Sequence, residues 1–418
     1  MEALKASLDG ERAAQSTPHP RWARANTLST QDVESTVANI HGCRREPTLD
    51  NVLKNKSTGS YCHDVNVPNL LAFSPGTDLT KSQAYKQGHL ILQDKASCFP
   101  AYLLLGDEST KDVGDVVDGC AAPGNKTSHL AAIMDEINSR STIFACERDQ
   151  ARSKTLQNMV EKAGAGRVKV LARQDFLALD PNDIRFKNVT HLLLDPSCSG
   201  SGIIGREDVP RLTLPDDPRG NTKASMNGQP NLQPKKRKRG EAEDMVLAVE
   251  DKDSMAPEEE EASIPVSGER LQKLSNLQTR IVEHAMKFQA ARRITYSTCS
   301  IHEQENEVVV SRLLASQIAQ TRGWTVLLRS LQVDGMKRWK HRGVRSNPGT
   351  ETAENKLSEE ELDSCIRCNP GDDEGTMGFF VCAFVRKVAA IGGLRSNDAP
   401  VQEEDHDNGG DESWEGFD

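Results

Sequence analysis

The chain has 418 residues, 36% hydrophobic and 27% charged, with a formal net charge of −10; that is long enough for a full catalytic domain with extra segments and too polar to be folded throughout. The opening "MEALKASLDGERAAQ" has no apolar stretch of the secretory kind, and no uninterrupted apolar run approaches the roughly 18 residues a membrane helix needs. Secreted and membrane-spanning classes are thereby excluded, and a soluble intracellular protein is expected, its ten scattered cysteines read as reduced thiols.

The acidity is unevenly spread. Glu241 to Glu261 carries ten acids against one lysine and Ala389 to Asp418 nine against one arginine, so the remainder, with its basic "PKKRKR", is net positive. A mildly basic core with acidic appendages is compatible with an RNA partner without requiring one.

In chain order, residues 113–200 alternate strand and helix patterns as a parallel, doubly wound sheet does. "DVGDVVD" (Asp112 to Asp118) reads as a first strand, followed by the loop "GCAAPGNK" and a helix through "TSHLAAIMDEI". "STIFACE" (Ser141 to Glu147) is a second strand, and "RDQARSKTLQNMVEKAG" a helix closed by Gly164. "RVKVLA" and "HLLLD" (His191 to Asp195) are a third and a fourth strand. From Arg206 to about Gly268 the composition turns to Pro, Asp, Glu, Asn and Lys without sustained period, which reads as a disordered insertion. Order resumes in a helix carrying Leu271, Leu274, Leu277, Ile281, Val282, Ala285 and Phe288 at helical spacing, then the strand "RITYST" (Arg293 to Thr298). The next helix is expected to open on Ser300 and Glu303 in capping-box spacing. "WTVLL" and "GFFVCAFVRK" (Gly378 to Lys387) are late strands, followed by a polar acidic tail.

Several side chains fall at strand ends, the edge where open α/β sheets bind ligands. The loop after the first strand, Cys120 to Lys126, fits either an anion- or nucleotide-binding turn or a tight structural turn. Glu147 ends the second strand, where a carboxylate can accept from ribose hydroxyls, and Asp175 follows the third, in reach of an adenine amino group; each alone is more often a solvated or capping carboxylate. Together they favour an adenosine cofactor. The fourth strand runs into "DPSCSGSG" with Asp195 and Cys198, and "RITYST" into Cys299. An isolated cysteine is usually a small buried hydrophobe, but two at neighbouring strand ends beside a cofactor site ask for a chemical reason. His129, His284 and His302 read as surface or core residues. Cys365 and Cys368 in "CIRC" lack a second cysteine or histidine pair at zinc spacing, so they read as two loop thiols and no metal is expected. "PKKRKR" reads as a nuclear import signal or a phosphate-binding patch.

Four segments together, "DGCAAPGNKTSHLAA" (118–132), "ACERDQAR" (145–152), "LLLDPSCSGSG" (192–202) and "YSTCSIHEQENE" (296–307), resemble the NOL/NOP/Sun family of S-adenosylmethionine-dependent RNA (cytosine-5) methyltransferases. "RANTL" (Arg24 to Leu28) and "GHLILQDKASCFP" (Gly88 to Pro100) match the family's approach to the catalytic domain, and Asn125, Ser197, "LQDKASC" and "WKHRG" (Trp339 to Gly343) look most like the branch acting on large-subunit ribosomal RNA. The resemblance covers residues 20–205 and 270–387.

It implies a class I methyltransferase fold, a Rossmann-like doubly wound α/β sheet. The domains would be an N-terminal helical remnant (1–20), a small α/β RNA-recognition segment (21–100), the methyltransferase domain (101–205 and 269–388), the disordered insertion (206–268) and the acidic disordered tail (389–418). It implies Cys299 as the nucleophile that adds to cytosine C6, Cys198 as the thiol that helps dissolve the adduct, and Asp195 on the N3 and amino edge of the base. S-adenosylmethionine would be held by Cys120, Ala121, Ala122, Pro123, Gly124, Asn125 and Lys126 around its methionine portion. Glu147, with Arg152 nearby, would take the ribose, Asp175 the adenine, and Asp195 the boundary with substrate. Implied partners are ribosomal RNA or a pre-ribosomal particle, with no membrane and no metal, the protein acting as a monomer in the nucleus and nucleolus. Three departures stand out. Glu147 replaces the commoner Asp, the insertion is long, and the chain begins shortly before "RANTL", where this branch carries a helical RNA-binding region; that last departure bears on RNA affinity and fits a truncated form or an incomplete gene product. The rival readings are a pre-ribosomal RNA-binding assembly factor without turnover and a DNA cytosine methyltransferase. The latter is disfavoured because serine, not proline, precedes Cys198 and an STC motif is also present.

Overall fold

The computed structural model describes residues 19–30, 32–38, 40, 42–54, 59–107, 113–203, 268–345 and 355–386. The expected helical remnant up to residue 18, the insertion from 204 to 267 with "PKKRKR", and the tail from 387 lie outside the described residues. His19 and Pro20 are not helical and lead straight into the first strand.

Two sheets organise the molecule. The first has five strands, β1 (Arg21–Ala25), β2 (Arg44–Arg45), β3 (Ser60–His63), β4 (Leu70–Phe73) and β5 (Leu90–Leu92), in the order β2-β3-β4-β1-β5. All its pairs are antiparallel except β2 with β3. Helix α1 (Lys95–Leu105) follows β5 and packs against the second sheet, running through the division expected at residue 100.

The second sheet contains β6 (Asp115–Asp118), β7 (Ile143–Glu147), β8 (Val168–Ala172), β9 (Val189–Leu194), β10 (Arg293–Thr298), β11 (Trp324–Val326), β12 (Ile366–Cys368) and β13 (Phe379–Arg386). Its order is β11-β13-β10-β9-β6-β7-β8, with β12 paired to β13. Strands β6 to β10 are parallel and β13 runs antiparallel between β10 and β11. This is the doubly wound α/β sheet expected. Near-continuous apolar strands such as "VTHLLL" are what a sheet covered on both faces requires. Leu192 and Leu194 join the core on one face with Ile281, Val282, Ile294, Tyr296 and Phe380, while Leu193 joins the opposite face with Val116, Leu130 and Ala131. Removing one such buried leucine to alanine costs about 2–5 kcal/mol.

The helices follow the expected pattern with shifted ends: α2 (Asn125–Glu136), α3 (Gln150–Lys162) and α4 (Gly268–Ala285). Gly164 at φ 68° ends α3 in the left-handed conformation that glycine adopts without strain. Phe288 lies beyond the end of α4 yet is fully buried. Four expectations are corrected. Asp195 lies just outside β9, and the first strand is shorter than "DVGDVVD". Cys368 is not a loop thiol but lies within β12, while Cys365 sits in the bend just before that strand; both are buried. Ser300 does not cap a helix, as described below. Among the described residues no helix is long and apolar enough to cross a membrane.

Candidate active site

The parallel strands deliver the singled-out residues to one edge. Asp118 closes β6, Glu147 closes β7, Asp195 follows β9 and Cys299 follows β10. Register explains the meeting: Tyr296 lies opposite Leu194, so the chain leaves β9 and β10 side by side.

At that exit the Cys198 and Cys299 sulfurs are 3.0 Å apart. The close contact divides the pair. Cys198 is held well above the ordinary thiol range by that bond and by burial, while Cys299 is lowered by the same bond, with Lys126 adding a favourable charge. Of the two, Cys299 is therefore the more readily ionised. Lys126 donates to Asp195 Oδ2 at 2.8 Å and to Ser97 Oγ at 2.9 Å, and Ser297 Oγ donates to Asp195 Oδ1 at 2.6 Å. Burial works against the Lys126 charge, but Asp195 more than offsets it and the pKa is raised. The ammonium also lies 5.4 Å from the Phe379 ring centre.

The backbone around the thiols is closely pinned. Gly202 N donates to Cys299 O at 3.0 Å, and Gly378 N donates to Gly202 O at 2.8 Å. A Cβ on Gly202 would stand 2.2 Å from the Gly378 carbonyl oxygen, so this three-chain junction requires glycine. Ser199, Ser201 and Ser300 bring their hydroxyls within 3.0–3.2 Å of one another, joining the two cysteine loops. Here the expected helix fails: Ser300 Oγ accepts from His302 N, a single-turn 3-10 segment spans Glu303–Glu305, and the next helix, α5 (Glu307–Ala315), starts only at Glu307. Glu303 accepts from Asn355 rather than from its own turn's cap. Tertiary partners for the acidic side chains win over the local capping box, and no helix N-terminus abuts Cys299.

On the cofactor side, Gly124 at φ 111° turns the loop into α2, and Asn125 Nδ2 donates to Leu92 O at 3.2 Å while its Oδ1 is buried without a partner. Cys120 is pushed well above the usual thiol range by burial. Glu147 is almost wholly buried; Oε1 accepts from Asp149 N at 2.8 Å and Oε2 lies 3.6 Å from Arg152, which donates to Ala122 O at 2.8 Å. One oxygen of Asp175 caps the short turn Phe176–Ala178. Ala121 and Ala122 are buried and Pro123 is joined to Ala122 by a cis peptide. The structure thus brings every candidate to one edge. His129 is buried, and half-buried His284 packs edge-on to Phe176 at 5.1 Å.

Sequence reasoning missed Asp118. This buried carboxylate accepts from Thr127 Oγ1 at 2.7 Å, and burial raises its pKa to about 6. Its place before "GCAAPG", like that of Glu147 at the next strand end, was the available signal. Glu305, Gln278 and Lys95 were missed as well; their partners lie tens to hundreds of residues away.

Comparison with known proteins agrees with this architecture. The family described as "NOL1/NOP2/Sun domain family member 5, ferredoxin-like domain" matches residues 19–93, and "16S rRNA methyltransferase RsmB/F" matches residues 104–217. The "25S rRNA (cytosine-C(5))-methyltransferase rcm1" of Schizosaccharomyces pombe is 38% identical over 363 residues, covering 87% of this chain and 62% of that protein. The "26S rRNA (cytosine-C(5))-methyltransferase nsun-5" of Caenorhabditis elegans is 32% identical over 396 residues, covering 92% of this chain and 71% of that protein. The chain therefore spans less than two thirds of the S. pombe relative, and more of the C. elegans one. Among solved structures, a "Methyltransferase Homolog Protein from Pyrococcus Horikoshii" has TM-score 0.54 at 21% identity, covering 89% of this chain and 87% of that one, which shows a shared fold. With both segment matches in chain order and a relative of which more than two thirds is covered, the chain belongs to the NOL1/NOP2/Sun family.

Proposed function

We propose that the protein methylates C5 of a cytosine in large-subunit ribosomal RNA using S-adenosylmethionine. The observation that carries this reading is the pair of sulfurs 3.0 Å apart beside the Lys126–Asp195 ion pair.

The residues present fit the cofactor. The orphaned Asn125 oxygen would accept from its ammonium, and the loop from Cys120 to Lys126 would hold the methionine portion. Glu147, with Arg152, would accept from the ribose hydroxyls, and Asp175 would take the adenine amino group. When bound, S-adenosylmethionine supplies an electrophilic methyl group. Cytosine C5 is too weak a nucleophile to take it unaided, so the Cys299 thiolate adds at C6 and pushes electron density onto C5. Asp195 holds the N3 and amino edge of the base, and Lys126 keeps that carboxylate in place. Once C5 carries the methyl group, the C5 proton passes to solvent, the C–H electrons form the C5–C6 double bond, and the C6–S bond breaks with Cys299 leaving as thiolate, a departure that Cys198 supports by hydrogen-bonding to the leaving sulfur from 3.0 Å. A base inside folded RNA must be extruded to reach this edge.

The finer assignments belong to the same proposal. The five-stranded sheet, within 21–100, faces RNA; the methyltransferase domain comprises 101–205 and 269–388; the protein acts as a monomer in the nucleus and nucleolus on ribosomal RNA or a pre-ribosomal particle. The test is a denaturing gel of wild type, Cys198→Ala and Cys299→Ala with large-subunit rRNA and radiolabelled S-adenosylmethionine. Cys198→Ala is expected to trap a slow-migrating protein–RNA adduct and Cys299→Ala to give neither adduct nor product. RNA binding by all three with no label transferred by wild type overturns the enzyme reading in favour of an assembly factor.

A further inference from the structure

Helix α4 presents a buried stripe of Leu271, Leu274, Ile281, Val282 and Ala285, and Gln278 stands in the middle of it, fully buried. A polar residue in an apolar stripe costs stability unless its hydrogen bonds are made. Gln278 makes them on the cysteine loop: Nε2 donates to Ser197 O at 3.1 Å and to Glu305 Oε1 at 2.9 Å. From the other side Ser199 N donates to Glu305 at 2.9 and 3.3 Å. Tyr296 locks the grip, its hydroxyl donating to Glu305 O at 2.5 Å and lying 3.2 Å from Gln278 Oε1.

Cys198 is the residue between Ser197 and Ser199, so its peptide is held at both ends. Glu305 is fully buried, and among the described residues it is met by N–H donors rather than by a cation. A buried carboxylate balanced only by neutral donors is a costly choice where an apolar side chain would fill the space. Its negative charge also helps to keep the proton on Cys198, reinforcing the division between the two thiols.

We propose that Glu305, seated by Gln278, is a positioning residue that holds Cys198 against Cys299 and thereby controls release of the methylated base, a role that rests on the two-thiol reading above. Methyl transfer itself needs only Cys299, Asp195 and Lys126, none of which Glu305 touches. Loss of the clamp therefore impairs the release half of the reaction selectively.

The test uses the full chain with Glu305→Ala, Glu305→Gln and Gln278→Leu; the last keeps the apolar stripe and protects against simple misfolding. Iodoacetamide labelling without RNA, mapped by peptide mass spectrometry, is expected to modify Cys198 about tenfold or more faster in Glu305→Ala and Gln278→Leu than in wild type. Buried Cys146 stays protected as the folding control. With rRNA and cofactor, the same two variants should accumulate covalent adduct while product falls about 100-fold. Glu305→Gln, which retains an acceptor for Ser199 N, should fall in between. Unchanged Cys198 labelling in both clamp variants overturns the proposal, as does a parallel loss of adduct and product. If labelling shifts as expected but wild type forms neither adduct nor product, the clamp stands and the methyltransferase reading fails.

Discussion

Two lysines, each paired to an aspartate, show how the same chemistry serves two ends. Lys95 opens α1 and meets Asp64 at 2.7 Å and Glu374 at 3.5 Å, with its ammonium 5.0 Å from the Trp339 ring centre and 5.5 Å from that of Trp22. Both Lys95 and Asp64 side chains are at most 3% exposed, and Trp22 Nε1 donates to Gly375 O at 2.6 Å across the same junction. This pair is sealed by aromatic faces and ties the five-stranded sheet to the region before β13. Lys126 and Asp195 are instead 14% and 26% exposed and stand beside two thiols. A sealed ion pair fixes geometry; one left partly open beside a nucleophile can also respond to a substrate.

Exchanging the roles breaks the comparison, and the largest effect falls at the open pair. Lys126→Ala should lower kcat/KM by about 10²–10³-fold, of order 3–4 kcal/mol, because the group that holds Asp195 is lost; methyl incorporation and Tm measured together separate this from unfolding, which should be slight. The pH profile sharpens the point. If Cys299 is the nucleophile proposed, its active form is the thiolate, so the rate rises with pH through a pKa below the ordinary thiol value, and Lys126→Gln should move that inflection upward. A profile unchanged in Lys126→Gln would remove Lys126 from the site's electrostatics.

At the sealed pair the order reverses. Lys95→Met leaves Asp64 buried and unpaired, at a cost of about 3–5 kcal/mol, read as a lowered Tm with activity per folded molecule retained; Asp64→Asn added to it should recover part of the loss. Equal Tm for Lys95→Met and wild type would show the junction to be held by the tryptophans alone.

A smaller effect concerns Asp118. Its pKa rises from the usual 3.8 to about 6 in the folded protein, so the folded state binds the extra proton. This contribution is fully present below the unfolded value and is lost as pH rises through about 6. Asp118→Asn should flatten the pH dependence of Tm between pH 4 and 6; an unaltered slope would place the titration elsewhere. The smallest change is expected at Arg152, which is more than half exposed: Arg152→Ala should weaken S-adenosylhomocysteine binding by only about 0.5–1 kcal/mol in calorimetry.

Much of this was legible from residues alone. Alternating apolar periods located the five parallel strands to within a few residues, because a doubly wound sheet buries both faces and leaves long apolar runs. The strand-end positions of Glu147, Asp195, Cys198 and Cys299 followed from the same pattern. The capping box at Ser300 misled, since local spacing says nothing of the Asn355 side chain that takes Glu303 or the Arg367 guanidinium that binds Glu307 at 2.6 Å.

By itself the sequence determined the strand and helix succession, the family motifs and the chemical types placed at the sheet's carboxyl edge, because these depend on short periods and local spacing. Only the tertiary structure decided that β13 inserts between β10 and β11, that Lys95 is buried against Asp64, that Gln278 and Glu305 grip Cys198, and that Cys299 ionises more readily than Cys198. Each of these depends on partners brought together from distant parts of the chain, where burial and proximity, rather than residue type, set the energy of a charge.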